Sequence, residues 1–237
     1  MTTKNPRALV LASGYGGRMG DLVHVGQKSL LRTPSGISIL RYGVDTLKVH
    51  GYDVGVAISL YGEQVRDDLR SSSGIEFFDS TGPQGTAGEV YKARRWLGES
   101  GDDFIVWYGD TILRDRRSRQ LVEFDVSALE KARREKDHKM AVTSGWARSK
   151  FGHIAKEEDD TLVKIREKPH VRVNLPIVCC RTSELGLFAA GQDIMTDTVP
   201  RILESGGTIG IYDVPKDVEY INIDGSEDLY RLRHPEE

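Results

Sequence analysis

The stretch LVLASGYGGRMG, residues 9–20, sets an apolar run directly against four glycines and an arginine. An apolar run of this length reads as a buried strand, and a glycine-rich turn at its end lets backbone N–H groups approach an anion with no Cβ in the way. Two familiar phosphate loops do not fit. A dinucleotide fingerprint would need glycine at 19, where Met19 stands, and an acidic residue to hold a ribose, yet none occurs from Leu22 to Val44. A P-loop requires glycine immediately before its lysine, and VGQKS puts Gln27 before Lys28. Arg18 and Lys28 still bring two full positive charges close behind the turn. Arginine's fork suits two phosphate oxygens at once and lysine acts as a point charge, so together they fit a polyphosphate.

The periodicity downstream alternates short strands with helices. RALVLA, VGVAIS, IEFF and DFIVWYGD read as strands, and SILRYGVDTLKVHG, TAGEVYKARRWLGE and VSALEKARREKD read as helices, the first stopped by Gly51. Strand, helix and strand in this order predict a mainly parallel sheet covered by helices on both faces. After Met140 the pattern becomes strand-rich: MAVTSG, FGHIA, TLVKIRE and PIVCCR, with KEEDDT as a hairpin turn. With no Pro/Gly/Ser linker between the two parts, the 237 residues read as a single α/β domain over 1–237. Its nucleotide-binding half would be about 1–139 and its acceptor half about 140–237, on the same sheet.

Composition removes several function classes. Lys and Arg total 33 against 36 Asp and Glu, a net charge of -3, so no overall field attracts nucleic acid or an anionic membrane. No apolar stretch is long enough to span a bilayer and the N-terminus lacks a signal-peptide core, so the expectation is a cytoplasmic protein. The only cysteines, Cys179 and Cys180, are adjacent in an apolar run and read as buried strand thiols; the six histidines form no metal or triad spacing. Asp67 and Asp68, and the run EEDD at 157–160, read as solvated surface, and Trp107 and Trp146 as packing residues.

Five ordered segments together carry a resemblance. LASGYGGRMGDLVHVGQKSLL resembles the signature loop of the sugar-1-phosphate nucleotidyltransferases, LAGGxGxRLxPLTxxxPKxLL. PQGTAGEV is similar to their base-contacting GTAGAL segment, WYGD to the NGD metal strand, IREKP to the EKP sugar-side motif, and YINIDGSEDL to the closing DIGTPEDL. The resemblance implies a Rossmann-like, nucleotide-diphospho-sugar transferase-like fold: a mainly parallel, mixed sheet flanked by helices, with a strand-rich sugar-side lobe. It implies nucleoside triphosphate and sugar 1-phosphate as substrates, Mg²⁺ as cofactor, and a homo-oligomer as an expectation.

Carried over residue by residue, the resemblance places Ala12, Ser13, Gly14, Gly16, Gly17 and Arg18 around the triphosphate, with Arg18 toward the departing pyrophosphate. Lys28 would neutralise charge at the α-phosphate, and Gln84, Gly85 and Thr86 would lie beside base and ribose. Asp110 would hold Mg²⁺. Gly152, Glu167 and Asn174 would line the sugar, and Lys168 would meet its phosphate; Arg18, Lys28 and Lys168 form the catalytic set.

The chain also departs from the pattern. Gln27 replaces the proline before the lysine, which loosens the backbone there. The aspartate of DIGT aligns with Asn222, while Asp224 occupies the glycine position. Because a hard cation favours carboxylate oxygen, Asp224 is taken as the second metal ligand and Asn222 as the alternative. Asp224 and KSLL also resemble cytidylyltransferases acting on phospho-alcohols such as phosphocholine or an inositol phosphate, and this is the second reading. A non-catalytic nucleotide- or sugar-binding protein of the same fold is the third.

Overall fold

The computed structural model describes residues 5–14, 27–82, 84–148, 153–156, 162–166, 170–222, 230 and 232. A seven-stranded sheet organises them. Its first part is parallel: β1 (Arg7–Leu11) lies between β2 (Asp53–Ile58) and β4 (Asp103–Tyr108), and β3 (Ile75–Asp79) pairs with the far side of β2. The second part enters with reversed direction. Strand β9 (His170–Arg181) runs antiparallel to both β4 and β6 (Met140–Arg148), and β10 (Ile209–Asp213) pairs with β6 in parallel at the edge. The order is β10-β6-β9-β4-β1-β2-β3, so one mixed sheet runs through both parts of the chain.

Side-chain alternation on the strands divides the core into two layers. Ala8, Val10, Ile105 and Trp107 face one layer, where they meet Ile39, Leu40, Val44 and Leu47 of helix α1 (Ile39–Val49). Leu9, Phe104 and Val106 face the other, against Ala87, Val90 and Leu97 of helix α3 (Gly85–Leu97). Local signals set the ends of α1. The Ser38 hydroxyl accepts from the Arg41 N–H at 3.0 Å, and Gly51 follows the helix in a left-handed conformation, φ +81°. Helix α4 (Val126–Arg134) is likewise capped by Asp125, which accepts from the Ala128 N–H. Trp107 is fully buried and lies so close to α1 that a Cβ on Gly43 would come within 2.9 Å of its indole nitrogen. A small residue is required at that contact.

Several elements had no clear sequence signal. Helix α2 (Gly62–Asp68) is short, uncapped by any side chain and buries only Gly62 and Val65, too little for a periodic pattern. Strand β5 (Thr111–Asp115) follows β4 directly and forms its own antiparallel ribbon with β11 (Val218–Asn222). Helix α5 (Val199–Glu204) precedes β10. Strands β7 (His153–Lys156) and β8 (Leu162–Arg166) pair antiparallel, as a hairpin requires, but in a separate two-stranded sheet and not on the main one. The turn between them, with the EEDD run, lies outside the described residues.

Three side chains differ from expectation. Asp68 is not solvated: its carboxylate accepts from the Ser38 hydroxyl and pairs with Arg32 at 2.7 Å, joining α2 to the start of α1. Trp146 is not packed away but 42% exposed on β6. Asp103, at the first position of β4, is buried between Arg133 and Arg134, which anchors the end of α4 to the sheet. Cys179 and Cys180 are buried thiols in β9.

Candidate functional site

In an open sheet of this kind ligands bind outside the carboxyl ends of the parallel strands. Here β1, β2, β3 and β4 end at Leu11, Ile58, Asp79 and Tyr108, and the residues that follow form one row. Backbone bonds fix it: Ala12 N–H donates to the Ala57 carbonyl at 2.9 Å, Ser80 N–H to that of Ile58 at 2.7 Å, and Gly109 N–H to that of Leu11 at 2.9 Å. The Ser59 hydroxyl donates to the Ser13 carbonyl at 2.6 Å, so the turn leaving β1 is held to the end of β2.

Asp110 occupies the turn from β4 into β5, and its carboxylate forms an ion pair with the Lys28 ammonium. Both side chains are about five-sixths buried, at 16% and 17% exposure, so the pair is only weakly screened by solvent. Lys28 opens a single 3-10 turn, Lys28–Leu30, and the residue before it explains how it is held without proline. The buried Gln27 amide donates back to the Ala12 carbonyl. A side-chain tether therefore replaces ring rigidity at that position, linking the lysine to the end of β1.

The ribbon of β5 and β11 brings a second candidate to the same place. Asn222 is the last residue of β11 and pairs in register with Thr111, the neighbour of Asp110. Asp224 lies outside the described residues. Near the pair, the hydroxyls of Thr111 and Ser29 are buried with no hydrogen-bond partner, a combination that protein interiors rarely leave uncompensated. Among the described residues no group of three or more His, Cys, Asp or Glu forms a ready-made metal cage. A Mg²⁺ site does not need one, because that ion retains waters and is often held by one or two carboxylates plus substrate phosphates. The donors around Asp110 fit that requirement.

Gln84, Gly85 and Thr86 open α3, and their surroundings are specific. Gly85 has φ +70°, and a Cβ there would meet the Gln192 carbonyl oxygen at 2.3 Å. The same oxygen accepts from the N–H groups of Ala87 and Gly88 at 2.9 and 3.3 Å. Asp193 accepts from both the N–H and the hydroxyl of Thr86 at 3.0 Å, and the Thr86 hydroxyl accepts from the Ile194 N–H at 2.8 Å. The start of α3 is thus capped by the segment at 192–194, a contact with no sequence signal, and the Thr86 side chain serves that cap. Tyr108, at the end of β4, lies beside the Thr86 hydroxyl; burial pushes its phenol up to about 12 and keeps it protonated.

Of the other candidates, Ala12 and Ser13 are buried at the end of β1, and Gly14 is open: a Cβ there would meet nothing within 4 Å. Asn174 is exposed on β9 opposite Ser144. Gly16, Gly17, Arg18, Gly152, Glu167 and Lys168 lie outside the described residues.

Comparison with known proteins follows this geometry. The model of the family described as nucleotidyl transferase matches residues 7–205. The chain is 29% identical over 178 residues to the glucose-1-phosphate thymidylyltransferase of Streptomyces griseus, covering 73% of this chain and 47% of that protein. It is 31% identical over 169 residues to the mannose-1-phosphate guanylyltransferase catalytic subunit beta of Drosophila melanogaster, covering 69% and 44%. The chain therefore spans about half the length of these curated relatives. In fold it is similar to HddC from Yersinia pseudotuberculosis complexed with GMP-PN, with a TM-score of 0.71 at 16% identity, over 98% of this chain and 100% of that one. With the match extending from the first residue of β1 to just past α5, the chain belongs to the nucleotidyl transferase family.

Proposed function

We propose that this chain transfers a nucleotidyl group from a nucleoside triphosphate to a sugar 1-phosphate and releases pyrophosphate. The observation that carries the reading is the Lys28–Asp110 pair, held at the carboxyl edge of β1 and β4 beside the opening of α3. Relatives named for thymidylyl and guanylyl transfer to hexose 1-phosphates support it.

The chemistry asks mainly for alignment and charge neutralisation, because a dianionic phosphate must approach an α-phosphorus that already carries negative charge. A phosphate oxygen of the sugar phosphate bonds to the α-phosphorus while the bond from that phosphorus to the bridging oxygen breaks, and the electron pair leaves with pyrophosphate. Lys28 would hold the α-phosphate and Asp110, with Asn222 or Asp224, would hold Mg²⁺. The metal, when bound, supplies positive charge shared between the two phosphates. Arg18 would receive the leaving pyrophosphate, Lys168 the acceptor phosphate, and Gly152, Glu167 and Asn174 the sugar. No general base is needed, since a sugar phosphate is already deprotonated near neutral pH, and no histidine is placed at this edge by the described residues. The 1–139 and 140–237 halves would act as donor and acceptor sides of one unit.

The test is pyrophosphate release over a grid of nucleoside triphosphates against hexose 1-phosphates, phosphocholine and an inositol phosphate, each with Mg²⁺ and with chelator. Chelator-sensitive release with a hexose 1-phosphate is expected. Release only with CTP and a phospho-alcohol would replace this reading with the cytidylyltransferase one, and silence in folded protein would overturn both.

A further inference from the structure

Glu89 is a buried carboxylate that nothing above uses. It lies in the second turn of α3, only 2% exposed, and one of its oxygens accepts from the Ser80 hydroxyl at 2.7 Å. Its other oxygen, Oε1, is buried with no hydrogen-bond partner. Such an oxygen carries a desolvation cost that a folded chain seldom retains without a use. The position is also informative. Ser80 directly follows β3, in the row that contains Ala12, Ser13, Ser59 and Asp110, and Glu89 follows the Gln84–Thr86 segment by one turn of the same helix. The only cation printed near the pair is the Lys92 ammonium, 3.3 Å from the Ser80 hydroxyl at the end of an exposed side chain that can swing away.

We infer that Glu89, aligned by Ser80, reads the nucleobase of the donor and selects guanine; the inference rests on the nucleotidyl-transfer reading of the site. A carboxylate is an acceptor only. Guanine presents two adjacent N–H donors, at N1 and N2, and matches it in a paired, charge-assisted contact. Uracil and thymine present one N–H between two carbonyl oxygens that the carboxylate repels. Cytosine and adenine set their amino group beside a ring nitrogen that is itself an acceptor. A site built with an unpaired buried carboxylate therefore rejects the three other base types by leaving its own charge unsatisfied.

The experiment compares calorimetric binding of GTP, ITP, UTP, dTTP, CTP and ATP with Mg²⁺ and no acceptor, for wild type and Glu89→Gln. ITP keeps N1–H and lacks the 2-amino group, so wild type should bind GTP about tenfold more tightly than ITP, the loss expected for one hydrogen bond to a charged group. In Glu89→Gln the GTP-to-ITP ratio should fall to near one, whereas a purely structural Glu89 would weaken all nucleotides alike and leave the ratio intact. Equal wild-type affinity for GTP and ITP, or tighter binding of any other base, overturns the inference. Should Glu89→Gln not fold, the wild-type ratio and its reduction in Ser80→Ala decide. Pyrophosphate release separates the two claims. Release with UTP or dTTP but not GTP removes the guanine assignment and keeps nucleotidyl transfer, while GTP-selective binding without any release removes the transfer and keeps the assignment.

Discussion

Asp110 and Lys28 each have a partner in the structure that a substrate complex would change. A carboxylate that binds a metal and a lysine that binds a phosphate are mutually neutralised while both ligands are absent, which makes a mostly buried pair tolerable. Asp110→Asn should therefore lower turnover by roughly 100-fold or more, the scale of losing a preorganised charge at a transferring phosphoryl group. Circular dichroism and thermal unfolding should show the fold retained, since the side chain sits in a turn and not in the core. Near-normal turnover at ordinary Mg²⁺ would remove Asp110 from the mechanism. Both residues were legible in the sequence because each stands in a recognisable segment. Their direct pairing was not, because it is created by β1 and β4 lying side by side. Gln27 was legible only as a missing proline, since nothing local says that its amide reaches the Ala12 carbonyl. Glu89 carried no signal at all: in sequence it is one more polar residue on a helix, and only burial shows its charge to be unusual.

At the scale of elements, the start of α3 depends on a contact from far along the chain. Gly85 must be left-handed there and must lie against the Gln192 carbonyl, so Gly85→Ala meets both a backbone penalty and a 2.3 Å clash. A loss of about 1–3 kcal/mol in urea unfolding is expected. The N–H bonds from Ala87 and Gly88 to Gln192 would be disturbed with it, so nucleotide affinity should drop as well. Unchanged stability would show that the 192–194 segment adjusts freely and that the cap is not a constraint. The helices and the parallel strands could be read from periodicity because each buries a regular face. Strands β5 and β11 could not: they pair with each other off the main sheet, and the register that brings Asn222 to Thr111 is set by tertiary packing. The order of the sheet was hidden for a similar reason. Strand β9 enters antiparallel beside β4, so the two parts share one sheet without the βαβ crossover that a sequence pattern displays.

Across the whole molecule, the mixed sheet buries several groups in the neutral form, and this sets how stability depends on pH. Burial raises the thiols of Cys179 and Cys180 above their usual 9.0 and the phenols of Tyr42 and Tyr52 above 10.0, and it takes Tyr108 to about 12. For Tyr52 a hydrogen bond to Glu130 acts in the same direction. In each case the unfolded chain loses its proton first. The stabilisation is therefore complete below the unfolded pKa and is lost as pH rises toward the folded one. Thermal unfolding should be insensitive to these groups up to about pH 9, then fall as the thiols and, from about pH 10, the phenols titrate in the unfolded state. Each group contributes up to about 1.4 kcal/mol per pH unit. Cys180 sits at the contact of β9 with β4 and β6, so Cys180→Val, which keeps its volume and removes its proton, should lessen the alkaline slope by one group's share while leaving the neutral-pH fold in place. Comparing melting temperatures of the two proteins from pH 8 to 11 tests this. Parallel curves would mean that the thiol does not titrate on unfolding, and a wild-type curve flat to pH 11 would mean that the sheet does not hold these five groups neutral as the structure requires.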